Sequence, residues 1–320
     1  MRTDRTDLFE LWSRREAGDA APAGSRNELS GVVVDDRFVL GTRIGRGAMA
    51  EVYRARDRRR PGWVTVKLLR PVHAGNRAFE AALVAEATAL AQIRHRHVVG
   101  FIGTGLHAGQ PYLAMEHLDR GSLHRVLKSL PHGRLNVLCA VFVLEMACRG
   151  VQAVHDAGFA HCDLKTRNIL LDRRGRVVIG DLGLAHRTTT RGQVRTAIVG
   201  GTADYMAPEV IAGSSKILAA TLDVYALGVL AFVLVTGRRP FSGRTAQEIY
   251  LQHRCRPAPS ASAMRPDLPE AIAIAIGRAM ERDPAIRTSN ASAFESALAL
   301  AAAPLREEAL SRSSRRRDHR

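Results

Sequence analysis

The chain has 320 residues, 46% of them hydrophobic, enough for one large or two small globular units with a sizeable core. No apolar run reaches the roughly 18 residues a membrane span needs. The N-terminus carries Asp4, Asp7 and Glu10 and no apolar stretch of the signal-peptide kind, and Cys139, Cys148, Cys162 and Cys255 lack metal-ligand spacing, so reduced thiols in a cytoplasmic protein are expected.

A formal net charge of +16 raises nucleic acid as a partner. The basic runs Arg58-Arg59-Arg60 and Arg315-Arg316-Arg317, however, have no interleaved aromatics and no zinc or RNP-like signature beside them. Solvated surface charge is the expectation, and a nucleic-acid partner is not.

Residues 1–35 read as a polar, flexible segment, in which Leu8, Phe9, Leu11 and Trp12 could share one helical face. Strands are predicted over Arg37–Ile44, Glu51–Arg56, Trp63–Leu69 and Pro111–Glu116. Between them a helix over Phe79–Ile93 lines Phe79, Leu83, Leu90 and Ile93 along one face. Glu86 lies on that same face, where a carboxylate needs a partner. Beyond Asp119 the pattern turns helical: a long apolar helix over Leu135–His155, then one over Leu222–Thr236 that is apolar nearly all round. At about 15 residues the second is too short to cross a bilayer and reads as a core helix. Amphipathic helices follow over Ala271–Met280 and Ala291–Leu300, and the charged end from Arg306 is expected to fray. The pattern describes a small β-rich lobe, a larger helical lobe and a cleft between them.

Four features carry chemistry. Gly45-Arg46-Gly47-Ala48 is a Gly-rich turn whose backbone amides could approach phosphates without a Cβ in the way. A strand-like Glu51–Arg56 follows it instead of a helix, so the loop caps a hairpin and is not a Rossmann fingerprint. Val64-Thr65-Val66-Lys67 places a lysine on a strand, nineteen residues before Glu86. His161-Cys162-Asp163-Leu164-Lys165-Thr166-Arg167-Asn168 is followed, thirteen residues after Asn168, by Asp181-Leu182-Gly183. Two carboxylates and an amide on adjacent loops suit a proton acceptor, Asp163, and hard oxygen ligands, Asn168 and Asp181, for a metal that keeps several waters. Gly200–Glu209 ends in Ala207-Pro208-Glu209. Lysine is also scarce: of 47 basic residues only Lys67, Lys128, Lys165 and Lys216 are lysines, and two of them fall inside these motifs, where a compact ammonium is wanted rather than a planar fork.

In this order and spacing the motifs resemble those of protein kinases, and Asp163-Leu164-Lys165 resembles the Ser/Thr branch. From about residue 36 to 300 the chain is similar to the eukaryotic-like Ser/Thr protein kinases of bacteria. The resemblance implies an α+β bilobal fold, with a kinase domain over 36–302 (smaller lobe 36–116, larger lobe 117–302) and a basic tail over 303–320. It implies ATP as substrate, Mg²⁺ (or Mn²⁺) as cofactor, and proteins bearing Ser or Thr as acceptors. Ile44, Gly45, Arg46, Gly47, Ala48, Val52, Thr65, Lys67, Met115, Glu116 and Leu118 would surround the nucleotide, with Met115 as gatekeeper and the backbone of Glu116 and Leu118 at the adenine edge. Lys67 would contact the α/β-phosphates and pair with Glu86. Asp163 would take the hydroxyl proton, Lys165 steady the γ-phosphate, Thr202 bond both, and Asn168 and Asp181 hold the metal. Glu209 would pair with Arg287, and Asp223 would tie the catalytic loop to the core. Thr196, six residues before Thr202, would be an autophosphorylation site, and transfer in trans implies a homodimer. Arg187, Arg191 and Arg195 could answer its phosphate or an acidic substrate.

The chain departs from the family pattern at Ala50 (usually glycine), Thr65 (usually alanine) and Cys162 (usually the arginine that meets an activation-loop phosphate). Cys162 reads as a half-buried thiol, with a redox switch as the other reading. The departures motivate a rival, a pseudokinase that binds nucleotide as a scaffold; the intact set Lys67, Glu86, Asp163, Asn168 and Asp181 argues against it. A small-molecule phosphotransferase of the same fold would lack the Ala-Pro-Glu loop and its arginine.

Overall fold

The computed structural model describes residues 29–194, 201–214 and 217–318, with side chains to 312. The candidate apolar turn at Leu8–Trp12, Arg195, Thr196, Gly200 and Lys216 lie outside the described residues.

The smaller lobe is one antiparallel sheet of β1 (Val33–Val34), β2 (Phe38–Arg46), β3 (Ala50–Asp57), β4 (Trp63–Leu69), β5 (Phe101–His107) and β6 (Gln110–Glu116), in spatial order β1-β2-β3-β4-β6-β5. Alternation sorts its faces. Val64, Val66 and Leu68 join Phe38, Leu40, Tyr53 and Tyr112 in one core, so Thr65 and Lys67 face the other way. The lobe begins earlier than the sequence reading placed it. Val34 is fully buried, and Asp35 and Asp36, both left-handed with φ of 53° and 50°, turn β1 into β2, the Arg37 N–H closing the turn on the Val34 carbonyl at 3.1 Å. The polar Asp-Asp pair looked like the end of a flexible segment and is instead its first turn, with the Asp35 carboxylate accepting the Tyr112 hydroxyl at 2.6 Å.

Helix α1 (Arg77–Gln92) is capped by Asn76, whose side chain accepts the Ala78 and Phe79 N–H groups. Its Leu83, Ala87 and Leu90 pack with Leu113 and Met115 beneath the sheet. The chain then enters the larger lobe through β7 (Gly121–Ser122), α2 (Leu123–Ser129) and α3 (Val137–Asp156). Short strands β8 (Phe159–Ala160), β9 (Ile169–Leu171) and β10 (Val177–Ile179) flank the loop that carries Asp163 and Asn168, and α4 (Pro208–Ile211) starts within Ala207-Pro208-Glu209. At Gly150 of α3 an added Cβ would stand 2.5 Å from the His97 carbonyl oxygen, so only glycine lets this helix meet the segment between α1 and β5 so closely.

Helix α5 (Ala219–Thr236) forms the core of the lobe, surrounded by α6 (Ala246–Cys255), α7 (Ala261–Met264), α8 (Glu270–Ala279) and α9 (Ala291–Asp318). Two expectations need correction here. Ala219–Thr221 add a turn, so α5 has 18 residues and α3 has 20; both are long and apolar enough to span a bilayer. Burial gives the better account of them: in α5 only Ala220 and Val233 escape full burial, as befits a helix enclosed on every side by protein. The end of the chain, expected to fray, is helical through Asp318. Leu305 packs on the core past Pro304, and Arg306 holds Glu145 of α3 through two hydrogen bonds of 2.8 and 2.9 Å.

Candidate active site

Two clusters of side chains adjoin, the Gly180 N–H beside Asp181 bonding the Asn168 carbonyl at 2.9 Å. On β4, Lys67 Nζ lies 2.7 Å from Glu86 Oε2 of α1 and 2.8 Å from Asp181 Oδ1. The buried carboxylate on the apolar helix face thus has the partner it required. Burial works against the Lys67 ammonium, but the charges of Glu86 and Asp181 outweigh it and hold its pKa above the usual lysine value. The Lys67 charge draws the Asp181 carboxyl below the ordinary range against its burial. Burial pushes Glu86 upward, Lys67 opposing and Asp181 adding to the effect. Gly183 belongs to this cluster: a Cβ there would lie 3.3 Å from both Asp181 Oδ1 and Glu86 Oε2.

Across the cleft, Asp163 is 8% exposed and held from three sides. Lys165 Nζ donates to its Oδ2 at 2.5 Å, Thr202 Oγ1 donates to its Oδ1 at 3.1 Å, and Lys165 also reaches Thr202 Oγ1 at 3.0 Å. Asn168 Nδ2 donates to the Asp163 carbonyl at 2.8 Å and to its carboxylate at 3.2 Å. With Nδ2 so engaged, the Asn168 amide oxygen takes no part in these bonds.

The loop is built on α5. Asp223 accepts the N–H groups of His161 and Cys162 at 2.8 and 2.9 Å and pairs with His155 Nε2 at 2.8 Å. Burial alone would raise the Asp223 carboxyl; His155 and His161 more than offset it, and its pKa is lowered. Cys162 and Asp181 sit at φ of 64° and 61°, left-handed positions rarely taken by non-glycine residues, one in each of the two loops that carry the chemistry. The Cys162 thiol is pushed well up by burial, the Asp223 charge adding, the opposite of a reactive thiolate. Glu209 meets the Arg287 fork at 2.7 and 2.9 Å, and Arg287 also donates to the carbonyls of Thr221, Glu281 and Arg282.

Among the residues expected around a nucleotide, Gly45 and Arg46 end β2, Gly47 and Ala48 form the turn, and Val52 stands on β3. Ile44 is half exposed, while Thr65, Met115 and Leu118 are buried. Two contacts were not foreseen. The Thr65 hydroxyl lies 3.0 Å from His117 Nδ1, so the departure from alanine ties β4 to the inter-lobe chain. Arg176 forms an ion pair with the Glu116 side chain, bracing the same chain from the larger lobe. Neither joins residue types at a recognisable spacing, so no motif announces them. Arg187 lies over the Phe159 ring, 5.9 Å from its centroid.

Residues 38–299 match the protein kinase domain. The chain belongs to the protein kinase family. PknL of Mycobacterium tuberculosis, a serine/threonine-protein kinase, is 32% identical over 272 residues, spanning 85% of this chain and 67% of its own. PknA of the same organism, also a serine/threonine-protein kinase, is 34% identical over 274 residues, spanning 84% of this chain and 62% of its own. The crystal structure of the PknI kinase domain from M. tuberculosis matches with a TM-score of 0.66 at 25% identity, over 85% of this chain and 98% of that one. Within the family the chain falls among the eukaryotic-like bacterial enzymes, as a protein serine/threonine kinase.

Proposed function

We propose that this kinase transfers the γ-phosphoryl of MgATP to Ser and Thr hydroxyls of proteins, its own activation loop included. The observation that carries the reading is the Asp163 carboxylate, held by Lys165 and Thr202, on a loop bonded to the one whose Asp181 joins Lys67 and Glu86. Asp163 orients the acceptor hydroxyl and takes its proton. Lys165 and Lys67 neutralise charge on the phosphates, and the fixed frame supplies positioning instead of covalent chemistry.

The donor set fits Mg²⁺. Among the described residues no group of three His, Cys, Asp or Glu side chains gathers. The hard oxygens on offer are Asp181 Oδ2 and Asn168 Oδ1, the atoms left over once Lys67 takes Asp181 Oδ1 and Asn168 Nδ2 turns to Asp163. A cation with few protein ligands, completed by water and phosphate oxygens, is what such a pair suits. When bound it would spread the charge of the transferring group, and Mn²⁺ could replace it. Four free cysteines, two of them buried, agree with a cytoplasmic setting.

Radiolabelled ATP with Mg²⁺, the full chain, a generic acceptor protein and Asp163→Ala as control test the reading. Label on Ser and Thr that the variant abolishes is expected, with Thr196 among the mapped positions. Binding of ATP without label in any acceptor would instead favour a nucleotide-binding scaffold.

A further inference from the structure

The tip of the Gly-rich loop is fastened to the segment that leads from β4 into α1. The Ala48 carbonyl accepts Arg70 Nη1 at 3.1 Å and lies 2.9 Å from His73 Nε2, which must carry its proton there, since a carbonyl only accepts. The next carbonyl, that of Met49, accepts the Arg70 N–H at 3.0 Å. Neither side chain has a part in the site described above.

A peptide unit is planar and trans, so the Ala48 C=O and the Met49 N–H point in opposite directions. Holding the carbonyl on Arg70 and His73 therefore aims the Met49 N–H away from them. Among the described residues that N–H has no hydrogen-bond partner. The Gly47 N–H to Ala50 carbonyl bond of 2.8 Å closes the turn around this peptide; with glycine at 45 and 47 and alanine at 48, the two side chains are what hold its carbonyl from outside the turn. The clamp is itself anchored: the His73 ring lies 4.4 Å from the Phe79 ring in the first turn of α1, the helix that carries Glu86. Arg70 also brings a permanent positive charge to the loop.

We propose that Arg70 and His73 are positioning residues for the nucleotide's phosphates, locking the Ala48–Met49 peptide so that the Met49 N–H is presented to a phosphate oxygen. The proposal rests on the MgATP reading above. The clamp acts on the phosphate end of the ligand and leaves the base untouched.

The test uses the full chain as wild type, as Arg70→Ala/His73→Ala and as His73→Gln, whose amide N–H can replace Nε2–H. Hydrogen exchange over residues 45–52 is followed without nucleotide, and ADP and adenosine are titrated separately. In the double variant, faster exchange and an ADP affinity about tenfold weaker are expected, the loss of roughly one hydrogen bond to a charged group, with adenosine affinity unchanged. His73→Gln should lie nearer wild type on both readouts. Unchanged exchange overturns the proposal, as does an equal weakening of ADP and adenosine, which would mark general damage to the lobe. If wild type binds neither ligand, the MgATP reading falls and the phosphate role with it; the exchange difference still reports whether the two side chains hold the loop.

Discussion

Asp223 holds Cys162 in a left-handed backbone conformation, φ 64°, by accepting its N–H at 2.9 Å. The same carboxylate takes the His161 N–H and faces His155, so one side chain of the core helix fixes the start of the catalytic loop. Asp223→Ala would leave one buried and one part-buried N–H donor and a histidine without their acceptor. A stability loss of about 3–5 kcal/mol is expected, the range for breaking a buried charged network. Denaturant midpoints check it. Activity measured well below the transition should fall too, because Asp163 follows directly on the residues that lose their anchor.

The geometry of Cys162 argues against a redox role. Burial lifts its thiol pKa well above the ordinary value, whereas Cys255 is exposed. Iodoacetamide at neutral pH should label Cys255 at least about tenfold faster than Cys162, as access and thiolate fraction dictate. Mass-spectrometric time courses on native protein give the ratio. Equal rates would reopen the redox reading, and a Cys162→Ser variant would then show whether peroxide acts through this thiol.

The site was legible wherever chemistry restricts residue type. Lys67, Glu86, Asp163, Asn168 and Asp181 announce themselves because few side chains can do their work, and Glu86 because a carboxylate on an apolar helix face demands explanation. The elements were legible where apolar periodicity is strong, as in α1 and α3. Strand β5 was missed: Phe101-Ile102-Gly103-Thr104-Gly105-Leu106-His107 has two glycines and no residue that is fully buried, so it lacks the alternation that marks a half-buried strand. Gly105 is there because a Cβ would stand 2.9 Å from the Tyr112 ring, a reason invisible without the partner strand. The helical run of α9 past Pro304 was hidden in the same way, since Arg306 and Glu145 are 161 residues apart.

A pH dependence follows from His253. It is fully buried, with Nδ1 2.7 Å from the Tyr225 hydroxyl, and burial lowers its pKa from 6.5 to about 4. Between those values the unfolded chain binds the proton and the folded chain does not, so stability rises with pH there and is lost as pH falls from 6.5 toward 4. A shift of that size corresponds to roughly 3 kcal/mol. Unfolding free energies of wild type and His253→Gln, measured at intervals from pH 7 to 4, should converge toward the acid end, because the variant has lost this titrating group. Parallel curves would assign the acid sensitivity to other groups.

Ending the chain at Ala302 would remove Arg306 and leave Glu145, 6% exposed, in α3 without its partner. Arg306 is itself 29% exposed on its side chain, so the pair stands below the full cost of a buried one, and a loss of about 1–3 kcal/mol is expected. Arg306→Ala in the full chain should reproduce most of that loss if the ion pair, and not the apolar contact of Leu305, carries it. The sign with pH is also fixed. Burial raises the Glu145 carboxyl and Arg306 pulls it back; without Arg306 the group rises further. A group raised in the folded state contributes stability below its unfolded pKa and loses it as pH climbs through the folded value. The gap between full and shortened chains should therefore widen from acid toward neutral pH in chemical denaturation. An unchanged midpoint at pH 7 would place the end of the folded domain at residue 302 and leave the rest of α9 as an appendage.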